Sequence, residues 1–249
     1  MNQTIETMLA HKSIRAFKDE PLTDEQVHTL VKAAQSASTS SYIQAYSIIG
    51  VKDDAKKRKI AKLAGDQSYV EKNGHFFVFC ADYNRHHAAA EMHGTDVTET
   101  TQTTEKFMVG LIDAALAAQN ASIAAESMGL GICYIGGIRN ALEEVSELLN
   151  LPDYVIPLFG LCVGYPEQAP DVKPRLPLRN IYHVDEYEQD QDVFKDSLRE
   201  YDEAISSYYT DRTGGQRTAG WSSLMANKLT SPVRTYMKKF LEKKGFPLK

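Results

Sequence analysis

Three short stretches of this chain collect groups that hold a phosphate. His11-Lys12-Ser13-Ile14-Arg15 sets two fixed cations, an imidazole and a hydroxyl close together. Ser38-Thr39-Ser40-Ser41 offers hydroxyls and backbone N–H donors directly after a helical stretch. Lys173-Pro174-Arg175-Leu176-Pro177 spaces two cations along a frame that its prolines keep extended, a form suited to an anionic oxygen cluster. Taken singly, each has an ordinary explanation. Basic helix ends complement the helix dipole, serine-rich loops are common, and two nearby surface cations are unremarkable in themselves. Beside the apolar strand end Tyr134-Ile135-Gly136-Gly137, they suggest one distributed anion site.

Other chemistries find less support. Gly129-Leu130-Gly131-Ile132-Cys133-Tyr134 fails the G-x-G-x-x-G pattern at its last position, and it follows a helix where that fingerprint follows a strand. No P-loop, G-x-S-x-G elbow or H-E-x-x-H pair is present. His86, His87, Glu91 and His93 lack a companion ligand set and read as an exposed polar helix. Cys80, Cys133 and Cys162 sit in apolar runs without C-x-x-C spacing, so they read as small buried hydrophobes.

The elements that position these groups follow from periodicity. Thr23 and Gln26 form a capping box for a helix over 24–37, whose apolar stripe is Val27, Leu30, Val31 and Ala34. Strands are expected at 45–51, 75–81, 132–135 and 155–164, and helices at 53–64, 105–128 and 140–150. The wholly apolar run His75–Ala81 has the composition of a central strand buried on both faces. The 105–128 helix carries Ala or Gly around most of its circumference, as burial on several sides requires, in a domain centre or a subunit interface. Gly129 is its expected left-handed stop. Towards the end, 184–203 holds nine acidic and two basic residues, whereas 228–249 holds seven basic residues and one acid. Both have helical apolar spacing and read as amphipathic arms of opposite charge, either solvated or clasping another subunit.

Composition sets the outer bounds. The chain has 249 residues, 28 Lys and Arg against 33 Asp and Glu, a formal charge of −5, and 43% apolar residues. These are values of a globular chain able to bury roughly 70–75% of its unfolded surface. The acidic balance argues against a nucleic-acid partner. The N-terminus lacks a basic start followed by an apolar run, and Asp113 and Gln119 interrupt the most apolar helix. A cytoplasmic protein without a membrane segment is therefore expected.

The quoted segments have a further meaning together. HKSIR (His11–Arg15), STSSYIQ (Ser38–Gln44), NGHFFVFCADYNR (Asn73–Arg85), the stretch Ala114–Arg139, LFGLCVG (Leu158–Gly164) and KPRLP (Lys173–Pro177) run in order along nearly the whole chain. In this the sequence resembles the NADPH-dependent flavin reductase and oxygen-insensitive nitroreductase family. The resemblance implies an α+β fold, a mainly antiparallel sheet surrounded by helices, forming an intertwined homodimer with FMN at the interface. It implies a single domain over 1–249, with 184–249 as C-terminal helical arms.

The resemblance also assigns residues. His11, Ser13, Lys173 and Arg175 would hold the FMN phosphate and ribityl chain, and Arg15 would lie by the N1/O2 edge of the ring as its electrostatic tuner. Thr39, Ser40, Gln67 and the backbone around Tyr134, Ile135, Gly136 and Gly137 would contact ring and ribityl. Lys12 stands where relatives commonly carry Arg, keeping the charge and losing the bidentate fork. Arg212 and Arg217, flanking a Gly-Gly loop, would grip the 2′-phosphate of NADPH. The implied activity is hydride transfer from NADPH to FMN, then reduction of free flavin, nitroaromatics or quinones by ping-pong kinetics, with no side-chain acid or base. The alternatives are a narrower reductase of another acceptor and a flavin-carrying protein without turnover.

Overall fold

Strand burial organises the centre of the protein. The computed structural model describes residues Met1–Lys249. Strands β1 (Tyr46–Val51), β2 (His75–Asp82), β3 (Gly131–Ile135) and β4 (Val155–Gly164) form one sheet in the order β1-β2-β4-β3. All three pairings are antiparallel, as expected. Every residue of β2 is buried. Phe77, Phe79 and Ala81 belong to the core on one face, and Phe76, Val78 and Cys80 to that on the other, the period of two expected of a strand. The three cysteines are buried free thiols.

Pro157 explains the one irregularity of the sheet. It cannot donate a ladder hydrogen bond, and it faces Cys80 where the β2–β4 register shifts. Leu158, left without a partner there, turns its carbonyl to Arg139, whose Nη1 donates to it at 2.7 Å.

The helices are α1 (Gln3–Leu9), α2 (Asp24–Gln35), α3 (Asp54–Leu63), α4 (Ser68–Glu71), α5 (Asn84–Met92), α6 (Thr98–Thr101), α7 (Thr104–Ser127), α8 (Leu142–Leu148), α9 (Gln191–Thr213), α10 (Trp221–Lys228) and α11 (Met237–Lys243). The capping box at the start of α2 forms as expected. Helix α7 buries its small residues within the chain's own core. Ala114, Ala117, Ala118, Ala121 and Ala125 are buried in the core, and a Cβ at Gly110 would stand 3.0 Å from the Ala81 Cβ on β2. Its outer side leaves Met108, Ile112 and Leu116 exposed at 49%, 46% and 43%. By length and composition, with mean hydropathy 1.4, α7 is apolar enough to cross a membrane, which corrects the expectation that Asp113 and Gln119 forbid it. Its packing against the sheet marks it as a core helix.

The chain forms two compact units: 1–170 with 234–249, and 171–233. The basic tail returns to the first unit because Phe240, Leu241 and Phe246 are buried in its core, and Tyr236 OH donates to Arg139 O at 2.7 Å. The second unit contains α9, which buries Ser197, Tyr201 and Ile205, and α10, which buries no residue.

Candidate functional site at the end of β3

The HKSIR segment is placed by β3. Ser13 bridges Ile132 in parallel, and Ile14 N donates to Ile132 O at 2.9 Å. Ile14 is buried against Gly131, where a Cβ would come within 2.6 Å of the Ile14 side chain. Extended alternation then points Ser13 and Arg15 to the other side. The Arg15 charge lies near Tyr69 and Cys133. Burial raises the pKa of both groups, and the guanidinium partly opposes that rise.

Gln67 joins this group from the turn before α4. Its Nε2 donates to Ala64 O at 2.8 Å, and its Oε1 accepts from Tyr69 OH at 2.8 Å, so the amide is fixed at both ends. Beside it the chain leaves β3 through Gly136 and Gly137. A Cβ at Gly137 would stand 2.3 Å from Ala64 O and 2.8 Å from Gln67 Nε2, so only glycine fits there. Ile135 and Gly137 are buried, while Tyr134 is 38% exposed, its hydroxyl accepting from Ser122 Oγ at 3.0 Å.

A flavin mononucleotide needs a fixed cation and an oriented amide beside a planar ring. Arg15 and Gln67, the latter packed against Gly137, are such groups, and they fit it.

Other expected residues are placed elsewhere. His11 turns its Nδ1 to Glu126 Oε1 at 2.6 Å, so that nitrogen is the donor to the carboxylate. Lys12 lines a hollow of about 510 Å³ with Gln3, Glu6 and Glu126. Thr39 and Ser40 stand on a loop held by α7: Ser40 N and Ala45 N donate to the two carboxylate oxygens of buried Asp113 at 2.8 and 3.0 Å. Ser41, Tyr42 and Gln44 in this loop all have positive φ. No hydrogen bond joins the loop to the Arg15–Gln67 group. A second hollow of about 610 Å³, lined by Gln44, Ser47, Arg85 and His86, also lies apart from that group. The Arg85 guanidinium there is spent on Ser47 Oγ, Asp82 Oδ2 and the carbonyls of Gln44 and Tyr46. His86 and His87, weighed as metal ligands, use their Nε2 atoms on Ile43 O at 2.8 Å and Thr101 Oγ1 at 3.0 Å.

Sequence reasoning missed Tyr69 and Asp113. Tyr69 carries no motif. Asp113 did carry a signal, a lone acid within an apolar helix.

The second unit gathers the remaining cations. Tyr201 OH donates to Pro174 O at 2.9 Å, tying the KPR frame to α9. Lys173 Nζ lies 5.2 Å from the Tyr209 ring centre, and the Arg217 guanidinium 4.0 Å from it. Arg212 Nη1 donates to Tyr208 OH at 2.7 Å. Although partial burial alone would raise it, the Tyr209 hydroxyl has a lowered pKa because Lys173, Arg217 and Arg212 surround it. None of Lys173, Arg175, Arg212 or Arg217 has a carboxylate partner.

Known proteins share both the sequence and this architecture. Residues 8–165 match the model of the nitroreductase family, and 173–249 match that of the nitroreductase family C-terminal domain. A Bacillus subtilis (strain 168) protein named FMN reductase (NADPH) is 58% identical over 246 residues, covering 99% of each chain. The solved structure of B. megaterium NfrA1 superposes with a TM-score of 0.97 at 59% identity, covering 99% of this chain and 100% of that one. The NADPH:FMN oxidoreductase from Vibrio harveyi, solved in complex with NAD+, gives 0.89 at 42% identity, with both chains fully covered. With likeness of this extent in sequence and in backbone, the chain belongs to the nitroreductase family.

Proposed function

We propose that this protein is an FMN-dependent NADPH oxidoreductase that reduces free flavin, nitroaromatics or quinones in alternating half-reactions. The observation that carries the reading is the convergence of Arg15, Gln67 and the close-packed Gly137 at the end of β3. The names of the relatives, FMN reductase (NADPH) and NADPH-flavin oxidoreductase, support it.

FMN, when bound, supplies the acceptance of hydride and the onward delivery of electrons. The chain supplies position and charge. Arg15 keeps a permanent positive charge at the β3 end and stabilises negative charge against it without moving a proton. Gln67, locked by Ala64 and Tyr69, presents its amide in one orientation. The Gly136–Gly137 turn, with Tyr134 and Ile135 before it, packs against Ala64, Gln67 and Arg139 and is assigned to the backbone contacts of the ring and ribityl. In the first unit, Ser13 and His11 are assigned to phosphate and ribityl oxygens; in the second, Lys173 and Arg175 are assigned to anionic oxygens, and Arg212 and Arg217 to the 2′-phosphate of NADPH. The acceptor closes over the same face, which gives ping-pong kinetics.

The reading includes a homodimer in the cytoplasm. Met108, Ile112 and Leu116 repeat every four residues along the outside of α7, and Ile5, Met8 and Leu9 of α1 are also exposed. A second copy covering this apolar stripe is the partner it suits, with Thr39 and Ser40 serving the flavin at the interface.

The test is anaerobic. Purified protein should be yellow and should bleach on addition of NADPH, with kcat/KM then compared for FMN, a nitroaromatic and a quinone. Colour that persists under excess NADPH and NADH makes the protein a carrier. Protein that stays colourless and takes up no added FMN defeats the reading.

A further inference from the structure

The two arginines assigned to the dinucleotide are exposed and follow or end a helix, so something must hold them before a ligand arrives. Arg212 is fixed by the Tyr208 hydroxyl, which itself reaches Asp171 O at 3.5 Å. Arg217 lies beyond Gly214 and Gly215, both at positive φ. Its backbone N–H is tied to Thr213 Oγ1 at 3.0 Å, and that hydroxyl in turn donates to Tyr209 O at 2.7 Å. Its guanidinium rests on the Tyr209 ring. Lys173, which the family resemblance assigns to the FMN phosphate, reaches the same ring from the KPR segment.

The geometry points to Tyr209 as the positioning residue that sets NADPH over NADH preference: its ring holds Arg217 as a clamp for a phosphate dianion. This inference rests on the oxidoreductase reading above. No carboxylate in the chain neutralises Arg217, and the negative face of the ring steadies its charge before a ligand arrives. A phosphate monoester then pairs with it, and of the two nicotinamide dinucleotides only NADPH carries one. The ring, rather than the hydroxyl, holds Arg217, so phenylalanine should serve in its place.

Three holoenzymes decide the matter: wild type, Tyr209→Leu and Tyr209→Phe, assayed with NADPH and NADH against one acceptor. Tyr209→Leu should lower kcat/KM for NADPH about tenfold, through KM and with kcat kept, and leave NADH unchanged. Tyr209→Phe should stay within about twofold of wild type for both nucleotides. A merely structural loss would move both nucleotides together. Titration with 2′,5′-ADP and with 5′-AMP reads the clamp without turnover. The affinity for 2′,5′-ADP should fall in Tyr209→Leu alone, while that for 5′-AMP should not change. A Leu variant that keeps the wild-type nucleotide ratio, a Phe variant as impaired as the Leu variant, or wild type that ignores 2′,5′-ADP overturns the assignment. Wild type that binds 2′,5′-ADP and yet does not oxidise NADPH counts against the oxidoreductase reading, and the titrations still decide the role of Tyr209.

Discussion

A methyl group at position 137 has nowhere to go. Its Cβ would overlap a backbone oxygen at 2.3 Å, and backbone gives way less easily than the end of a side chain. Gly137→Ala should therefore cost about 1–3 kcal/mol of stability and displace Gln67, with flavin retention on a desalting column as the measurement. Full retention at wild-type stability would show that the turn is not the close approach described above. Arg15 is tested through charge. Arg15→Gln keeps length and hydrogen-bonding capacity but removes the positive charge. It should slow anaerobic bleaching by NADPH on the order of tenfold in a stopped-flow measurement, while FMN still binds. Unchanged bleaching would move the tuning role elsewhere. At this scale the sequence was informative where a residue type is unusual for its place. Arg15 and the paired glycines stand out in the chain. Tyr69 does not, because what gives it meaning is a hydrogen bond to Gln67 made only once the turn has folded.

Helix α7 and the loop it holds show how an element can be read correctly and still conceal its purpose. Its length and its Gly129 stop follow from composition and local rules, and the structure reproduces them. The role of Asp113 does not follow, since its partners are backbone N–H groups of residues 40 and 45, far away in sequence. Asp113→Ala strands both donors and releases a loop that holds three non-glycine residues at positive φ. The expected cost is about 2–4 kcal/mol, and amide exchange should quicken from Ser40 to Ala45 ahead of the sheet. Exchange rates equal to those of the unaltered chain would mean that the loop is held by other means. The strands were legible for a simple reason: alternation is local, and β2 is apolar on both faces. The tail 234–249 was not, because seven cations in 228–249 masked three core positions, Phe240, Leu241 and Phe246.

Acid should weaken the whole molecule through one strand residue. His75 on β2 is 5% exposed and its Nε2 has no partner, so the neutral form is favoured. Burial, with Lys52 and Lys57 nearby, lowers its pKa from 6.5 to about 4. Above the unfolded value both states are neutral and the native state keeps its full advantage. Below it the unfolded chain takes up the proton first, and stability drains away until the folded value is reached. Between pH 7 and pH 5 this amounts to about 2 kcal/mol, measurable by urea unfolding. His75→Asn should flatten that part of the profile, and an identical slope in the variant would assign it to other groups.

The discontinuous first unit also bears on biosynthesis. Phe246, fully buried, packs near Tyr83, Phe107 and Tyr154, with ring centres 6.2, 5.7 and 6.3 Å away. A nascent chain that has emerged only as far as residue 233 already carries the entire sheet, yet lacks this aromatic plug. Until residues 234–249 have emerged, Tyr83, Phe107 and Tyr154 lack this ring as a neighbour, and the growing polypeptide passes through a window in which chaperones have something to grasp.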